Sequence, residues 1–280
     1  SIGESIPQAA LDSISYNVGR NHYLEQDYKN AVTDFDKYTQ KFPDGIFITE
    51  ANMYRAEGNY KLGNNDAALT SYAAVIGKNK NEFTEQALSV ASELAYKKPN
   101  YTLALDYYKQ LEQLAENPKN NAAAKIGIMR TDFELKDYNG AIEYAGKVIN
   151  LEKPGNDLLN EAHAITAKSY LGLNKVEEAL IEFKTVASNS KNESGAEASY
   201  SIANIHYTRG DYKQSQKVIF DFFKNGGDYP MWIDKSLLLL ADNYAALKDN
   251  FQAKTTLQSI IDDSKNAESV KTAKAKLAAI

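Results

Sequence analysis

A small residue recurs in this chain at near-equal intervals, at Ala31, Ala68, Ala104, Ala141, Ala179, Ser215 and Ala253, with steps of 37, 36, 37, 38, 36 and 38 residues. A fixed period of this length marks stacked supersecondary units, so it constrains the fold more than any other feature. Four residues after each anchor stand Phe35, Tyr72, Tyr108, Ala145, Phe183, Ile219 and Leu257. Three further on come Tyr38, Val75, Leu111, Val148, Val186, Phe222 and Ile260. Those offsets place the side chains on one face of a helix. Twelve residues before each anchor a second column holds Gly19, Ala56, Ser92, Met129, Ala167, Ala203 and Ala241, small everywhere but Met129, as close helix approach requires. Three residues before the anchor, Tyr28, Tyr101, Tyr138, Val176 and Tyr212 open the anchor helix, with Asn65 a polar exception. Phe251 lies one position out of step, which predicts a shortened turn in the seventh repeat.

Polar breaks such as Gln26-Asp27, Gly63-Asn64-Asn65, Lys98-Pro99-Asn100 and Gly210-Asp211 separate the two helices of a repeat. Proline-containing breaks, FPDG from Phe42, ENPKN from Glu116, EKPGN from Glu152 and NGGDYP from Asn225, separate one repeat from the next. No strand-like alternation appears. The pattern predicts an all-α single solenoid over 1–280, with fourteen helices in seven repeats near 12–45, 46–81, 82–118, 119–154, 155–192, 193–229 and 230–264, and a terminal helix over 265–280. Ala278 falls on the small-residue column of an eighth repeat. The terminal helix therefore reads as a solvating cap with Lys271, Lys274 and Lys276 on its polar face, or as the first half of a further repeat.

Composition narrows the function classes. Hydrophobic residues at 43% and charged residues at 25% are values at which the whole chain can fold. The net charge of −5 is mild, and acidic and basic side chains appear interleaved with no Lys/Arg stripe, which argues against a nucleic-acid partner. No apolar run is long enough to span a bilayer, so a soluble chain is expected. Ser1 in place of a start methionine reads as a mature or excised fragment from which an export signal or lipid anchor was cut, in which case a periplasmic or envelope setting follows. The compartment stays open, since the absence of cysteine fits reducing and oxidising surroundings alike.

From about residue 12 to 263 the chain resembles the tetratricopeptide-repeat family. It departs from the family pattern in lacking the Trp of the first helix, in reducing the Leu-Gly pair to Val18-Gly19, and in exceeding the usual step of about 34 residues. The longer step, the pair Asn59-Tyr60 and the turn Phe42-Pro43-Asp44 resemble repeats of bacterial envelope proteins of the Tol-Pal coordinator and outer-membrane assembly lipoprotein type. The resemblance implies a right-handed superhelix whose first helices line a concave groove that holds a peptide or a partner protein.

Carried over by position, that groove would present the charged column Arg20, Glu57, Glu93, Arg130, Lys168, Asn204 and Asp242. Beside it lies an aromatic-rich column of Tyr23, Tyr60, Tyr96, Phe133, Leu171, Tyr207 and Ala245. Alternating charge argues against a clamp for a terminal carboxylate. The tyrosines read either as packing within their own hairpins or as stacking platforms for a glycan or small ligand of an envelope receptor, the alternative to a protein-binding scaffold. The segment from Phe222 to Trp232 reads as a packed corner or an exposed interaction loop, and an exposed terminal repeat would allow self-association.

Nothing points to catalysis. His22 and His206 occupy equivalent places five repeats apart, and His163 stands elsewhere, so no metal or nucleophile constellation forms. Gly226-Gly227 alone is no phosphate loop, and adjacent acids such as Glu177-Glu178 and Asp262-Asp263 diverge on a helix. The expectation is a non-enzymatic protein-interaction scaffold without cofactor or metal.

Overall fold

The computed structural model describes residues 7–225 and 228–280, and Gly226-Gly227 fall outside them. The described residues form fifteen α-helices and no strand. The chain divides into two compact units, residues 1–135 and residues 136–280. The first holds α1 (Gln8–Leu24), α2 (Tyr28–Lys41), α3 (Ile48–Lys61), α4 (Asn65–Ile76), α5 (Thr84–Lys97), α6 (Tyr101–Leu114) and α7 (Pro118–Glu134). The second holds α8 (Tyr138–Ile149), α9 (Asn156–Gly172), α10 (Val176–Asn189), α11 (Glu193–Thr208), α12 (Tyr212–Asn225), α13 (Pro230–Ala246), α14 (Asn250–Asp263) and α15 (Ala267–Ala279). Pro118 and Pro230 each stand in the first turn of a helix, where a missing N–H costs nothing.

Burial follows the columns. All seven anchors are fully buried, and the residues four and seven positions later are at most 8% exposed. A further small column becomes visible in three dimensions, seventeen residues before the anchor: Ala51, Ala87, Ala124, Ala162, Ala198 and Ser236, all buried. Here each odd-numbered helix meets the helix before it. Ala51 joins Phe35 and Tyr38, Ala87 joins Tyr72 and Val75, and Ala198 joins Phe183 and Val186 in continuous apolar clusters. Ala273 of α15 repeats the arrangement against Leu257 and Ile260 of α14. In α1, with no preceding described helix, the same position is Ile14, and it is 55% exposed. Three residues after Ala124, outside both small columns, an aromatic side chain presses close enough to require glycine. A Cβ on Gly127 would lie 2.3 Å from the Tyr108 ring.

The turns obey one geometry. Each break inside a repeat is three residues long, and in all seven the middle residue has a positive φ: Gln26, Gly63, Pro99, Lys136, Asn174, Gly210 and Lys248. The N–H after it bonds back to a carbonyl five residues earlier, as in Asp27 to His22 and Asp249 to Tyr244, which closes the end of the first helix. Asp27, Asn100, Asp137 and Asp249 then cap the next helix by accepting the N–H three residues on. The expected shortening of the seventh turn is not found. Leu247–Asp249 has the usual three residues, and Asn250 fills the helix-opening position as Asn65 does. Phe251 instead projects outward, 76% exposed.

Two predictions follow from this geometry. Lys248→Gly relieves a left-handed non-glycine and raises unfolding stability by about 0.5–1 kcal/mol, whereas Gly210→Ala lowers it by about 1 kcal/mol, both read from urea midpoints. Gly127→Ala forces Tyr108 off its packing and costs about 1–3 kcal/mol, measured the same way.

Candidate partner-binding face

The charged column of the first helices is largely engaged within the protein. Glu57 accepts from the Tyr23 hydroxyl at 2.5 Å on one side and from Gln86 Nε2 at 2.6 Å on the other, so one carboxylate ties α1, α3 and α5 together. Burial, reinforced by Glu57, pushes the Tyr23 hydroxyl up. Arg20 and Glu50 lie near Tyr54, whose hydroxyl is raised by burial and by Glu50 against the opposing pull of Arg20. In the second unit Lys168 pairs with Glu197 at 2.8 Å, and Asp242 takes Lys276 on both oxygens at 2.6 and 2.8 Å. Glu57, Lys168 and Asp242 are thus each matched by a side chain of a neighbouring odd-numbered helix that lies outside the column.

Tyrosines of the neighbouring column pack into their own hairpins. Tyr23 meets Tyr28, Tyr96 meets Tyr101 and Tyr207 meets Tyr212, with ring centroids 5.5–5.6 Å apart in each pair. These rings hold the column to the residue that opens the following helix, the geometry of an internal packing contact. Tyr60, opposite the polar Asn65, has no such ring and is 41% exposed. Phe133 is half-buried, as are Arg130 and Asn204, and Arg130 lies close enough to Tyr108 to oppose the burial that pushes that hydroxyl up to about 12. Glu93 is exposed and pairs only along its own helix, with Lys97 at 2.6 Å. On the first unit's face the side chains presented to solvent thus include Tyr60, Glu93 and Lys97.

One class of polar residue escaped the sequence reading. Nineteen positions before the anchor stand Asp12, Glu85, Asn160 and Asp234. Asp12 accepts from the buried Tyr38 hydroxyl at 2.6 Å and from the Ile46 N–H at 3.0 Å, and the Phe47 N–H in turn donates to Tyr38 Oη at 3.2 Å. Glu85 receives the N–H groups of Glu116 and Asn117 and the amide of Asn120. Asp234 receives the Ser264 hydroxyl. Each carboxylate fastens the loop that leads to the following first helix. Four polar residues at one register were the available signal, but the loop groups they meet are remote in sequence.

Of the Phe222 to Trp232 stretch, Gly226-Gly227 lie outside the described residues, and Phe222 and Trp232 on either side of them are packed inward. Phe222, Trp232 and Ala196 form one cluster, Tyr200 lies 5.7 Å from Trp232, and Tyr229 donates to the Lys191 carbonyl at 2.8 Å. The histidines serve separate hairpins, His22 against Asp34 at 2.7 Å and His163 against Glu182 at 2.6 Å, while His206 stands 3.7 Å from Asp211. Among the described residues no group of three His, Cys, Asp or Glu is placed to hold a metal, and no helix is long and apolar enough to cross a membrane.

Comparison with known proteins agrees with this architecture. Tetratricopeptide-repeat family models match residues 55–121 and, separately, residues 15–45 and 235–267. The fold is similar to the C-terminal part of a TPR repeat-containing protein from Cytophaga hutchinsonii, with a TM-score of 0.62 and 16% identity over 92% of this chain and 98% of that one. It is similar also to the apo form of the quorum sensor NprR from B. thuringiensis, with a TM-score of 0.60 and 15% identity over 95% of this chain and 80% of that one. Pseudomonas aeruginosa pilF gives a TM-score of 0.54 and 14% identity over 81% of this chain and 97% of that one. No curated protein sequence matches the chain.

Asp12→Ala leaves the buried Tyr38 hydroxyl and the Ile46 N–H without their acceptor and is expected to cost about 2–3 kcal/mol, whereas Asp12→Asn recovers part of the loss, read from urea midpoints. Hydrogen bonds, first that of Asn120, hold the Glu85 carboxyl below its usual range. Its stabilising share is present above the unfolded carboxyl value of about 4.3 and is lost as pH falls through the lower folded value. Glu85→Gln should accordingly flatten the acid limb of a stability–pH profile while leaving its neutral plateau nearly level.

Proposed function

We propose that this tetratricopeptide-repeat chain is a non-enzymatic scaffold that docks a partner protein on the first helices, with Tyr60 and Glu93 among its contacts. The family as a whole is one of protein-interaction scaffolds. The observation that carries the reading for this chain is the division of labour on the first-helix face. Tyr23 and Glu57 are bound into contacts between hairpins, while Tyr60, Glu93 and Lys97 are left to solvent. An exposed pair four residues apart on a helix is worth only about 0.3–0.5 kcal/mol, so Glu93 and Lys97 separate at little cost to meet a partner. Tyr60 adds a large, rigid contact surface with few rotatable bonds. Hairpins held by buried alanine contacts lose little ordering entropy on binding, which favours a preformed surface over an induced one.

The test is affinity capture from lysate and envelope fractions of the source organism, comparing wild type with a Tyr60→Ala, Glu93→Ala variant. Melting temperature and helical content should be equal in the two, because both substituted side chains are exposed. A partner held by wild type and bound at least tenfold more weakly by the variant supports the assignment, on the scale of truncating a central interface residue. Undiminished capture by the variant would overturn it. Lys168→Ala, in contrast, breaks a pair within the second unit and is expected to act through stability rather than capture.

A further inference from the structure

The second helices carry a surface that the first-helix reading does not use. On α12, Lys213, Lys217, Phe220 and Lys224 follow one another at intervals of four, three and four residues, so they form one stripe opposite the buried Ser215, Ile219 and Phe222. All four are exposed, and Phe223 projects at the edge of the stripe. None of the three lysines is paired with a carboxylate among the described residues, and Asp221 is the acidic side chain on the flank. At the same positions α2 has Lys29, Thr33, Asp36 and Gln40, and α14 has Phe251, Thr255, Gln258 and Asp262, so the concentration of cations and phenylalanine is particular to α12. Beside it, between α10 and α12, lies a groove of about 410 Å³ lined in part by Lys184, Lys191 and Asp221. A basic stripe is thus present, although the overall composition had argued against one.

We propose that the outer face of α12 is a contact site for an anionic phospholipid surface. Lysines set around apolar rings are the arrangement of an interfacial helix: the ammonium groups reach phosphate while the lysine stems and the rings enter the boundary of the acyl region. Phe220, 48% exposed, and Phe223, 37% exposed, have no hydroxyl to satisfy, so a hydrocarbon phase suits their open ring surface better than water. The groove beside the stripe offers two further lysines to a headgroup. A long polyanion such as a nucleic acid would also meet the rest of a chain whose net charge is −5 overall, whereas a planar lipid contact engages one helix. This face is distinct from that of Tyr60 and Glu93, so either assignment stands or falls without the other.

Vesicle co-sedimentation of the full chain tests the proposal, with phosphatidylcholine alone and with phosphatidylcholine mixed with phosphatidylglycerol. Binding is expected to the mixed vesicles, to weaken as salt is raised, and to be absent with phosphatidylcholine alone. Each lysine removed should weaken it about fivefold, so Lys213→Ala, Lys217→Ala, Lys224→Ala together abolish pelleting. Phe220→Ser should weaken it about tenfold. A control with the same loss of charge at exposed Lys29, Lys61 and Lys109 should still bind, and circular dichroism should show all variants equally helical. Equal partition to neutral vesicles, or equal losses in the triple variant and the control, would overturn the proposal. So would displacement from mixed vesicles by oligonucleotide or polyglutamate at charge concentrations below those of the lipid, which would give the face to that polyanion.

Discussion

Close contact between helices is the constraint on which everything else in the structure depends. Within each unit a first helix is pressed by its own second helix at one small column, as at Gly19 and Ala241, and by the preceding second helix at another, as at Ala51 and Ser236. None of the helices exceeds 17 residues, so each is marginal alone and gains its stability from these contacts. Small side chains let the backbones approach until Phe35, Tyr72, Phe183 and Leu257 reach across and fill the space between. Glycine takes over where even a methyl group would collide, as Gly19 does beneath the Phe35 ring.

Given that close stacking, the polar residues sort into two kinds. Those at the seams are used up: Asp12 and Glu85 hold loops, Glu57 holds three helices, and Asp242 holds the terminal α15 through Lys276. A half-buried carboxylate with two donors is costly to expose and offers little to a partner. Those away from the seams remain available, among them Tyr60 and Glu93 on a first helix and the lysines of α12 on a second. Equivalent residues of the repeat thus differ in use: Glu57 is tied to two neighbouring helices while Glu93, one rung on, pairs only with Lys97 of its own helix.

Much of the fold was legible in the linear pattern. The anchor column, its companions four and seven residues on, and the turn residues predicted which side chains would be buried, because a helical period and a fixed repeat leave few ways to hide an apolar stripe. The turn of the seventh repeat was misread, since Phe251 was assigned the helix-opening role that Asn250 fills. An aromatic residue near the expected place outweighed a polar one at it, although backbone geometry and the Asp249 cap set the register. The buried acids at the loop seams were also missed, because their partners lie about 30 residues away and are backbone groups with no signature of their own.

What the sequence by itself determined is the class of structure: helical hairpins at a period of 36–38 residues, closed by polar turns and packed through small-residue columns. Local periodicity suffices for this, since propensity, capping and amphipathic patterning all act within a few residues along the chain. Only the tertiary structure decided which polar side chains remain for a partner. Glu57, Lys168 and Asp242 look alike as members of one column with Glu93, yet each of the three finds a partner on an adjoining helix, whereas Glu93 pairs with Lys97 of its own helix. Pairing across successive hairpins depends on side-chain reach between helices some 30 residues apart in sequence, and that distance in space is set by packing rather than by spacing.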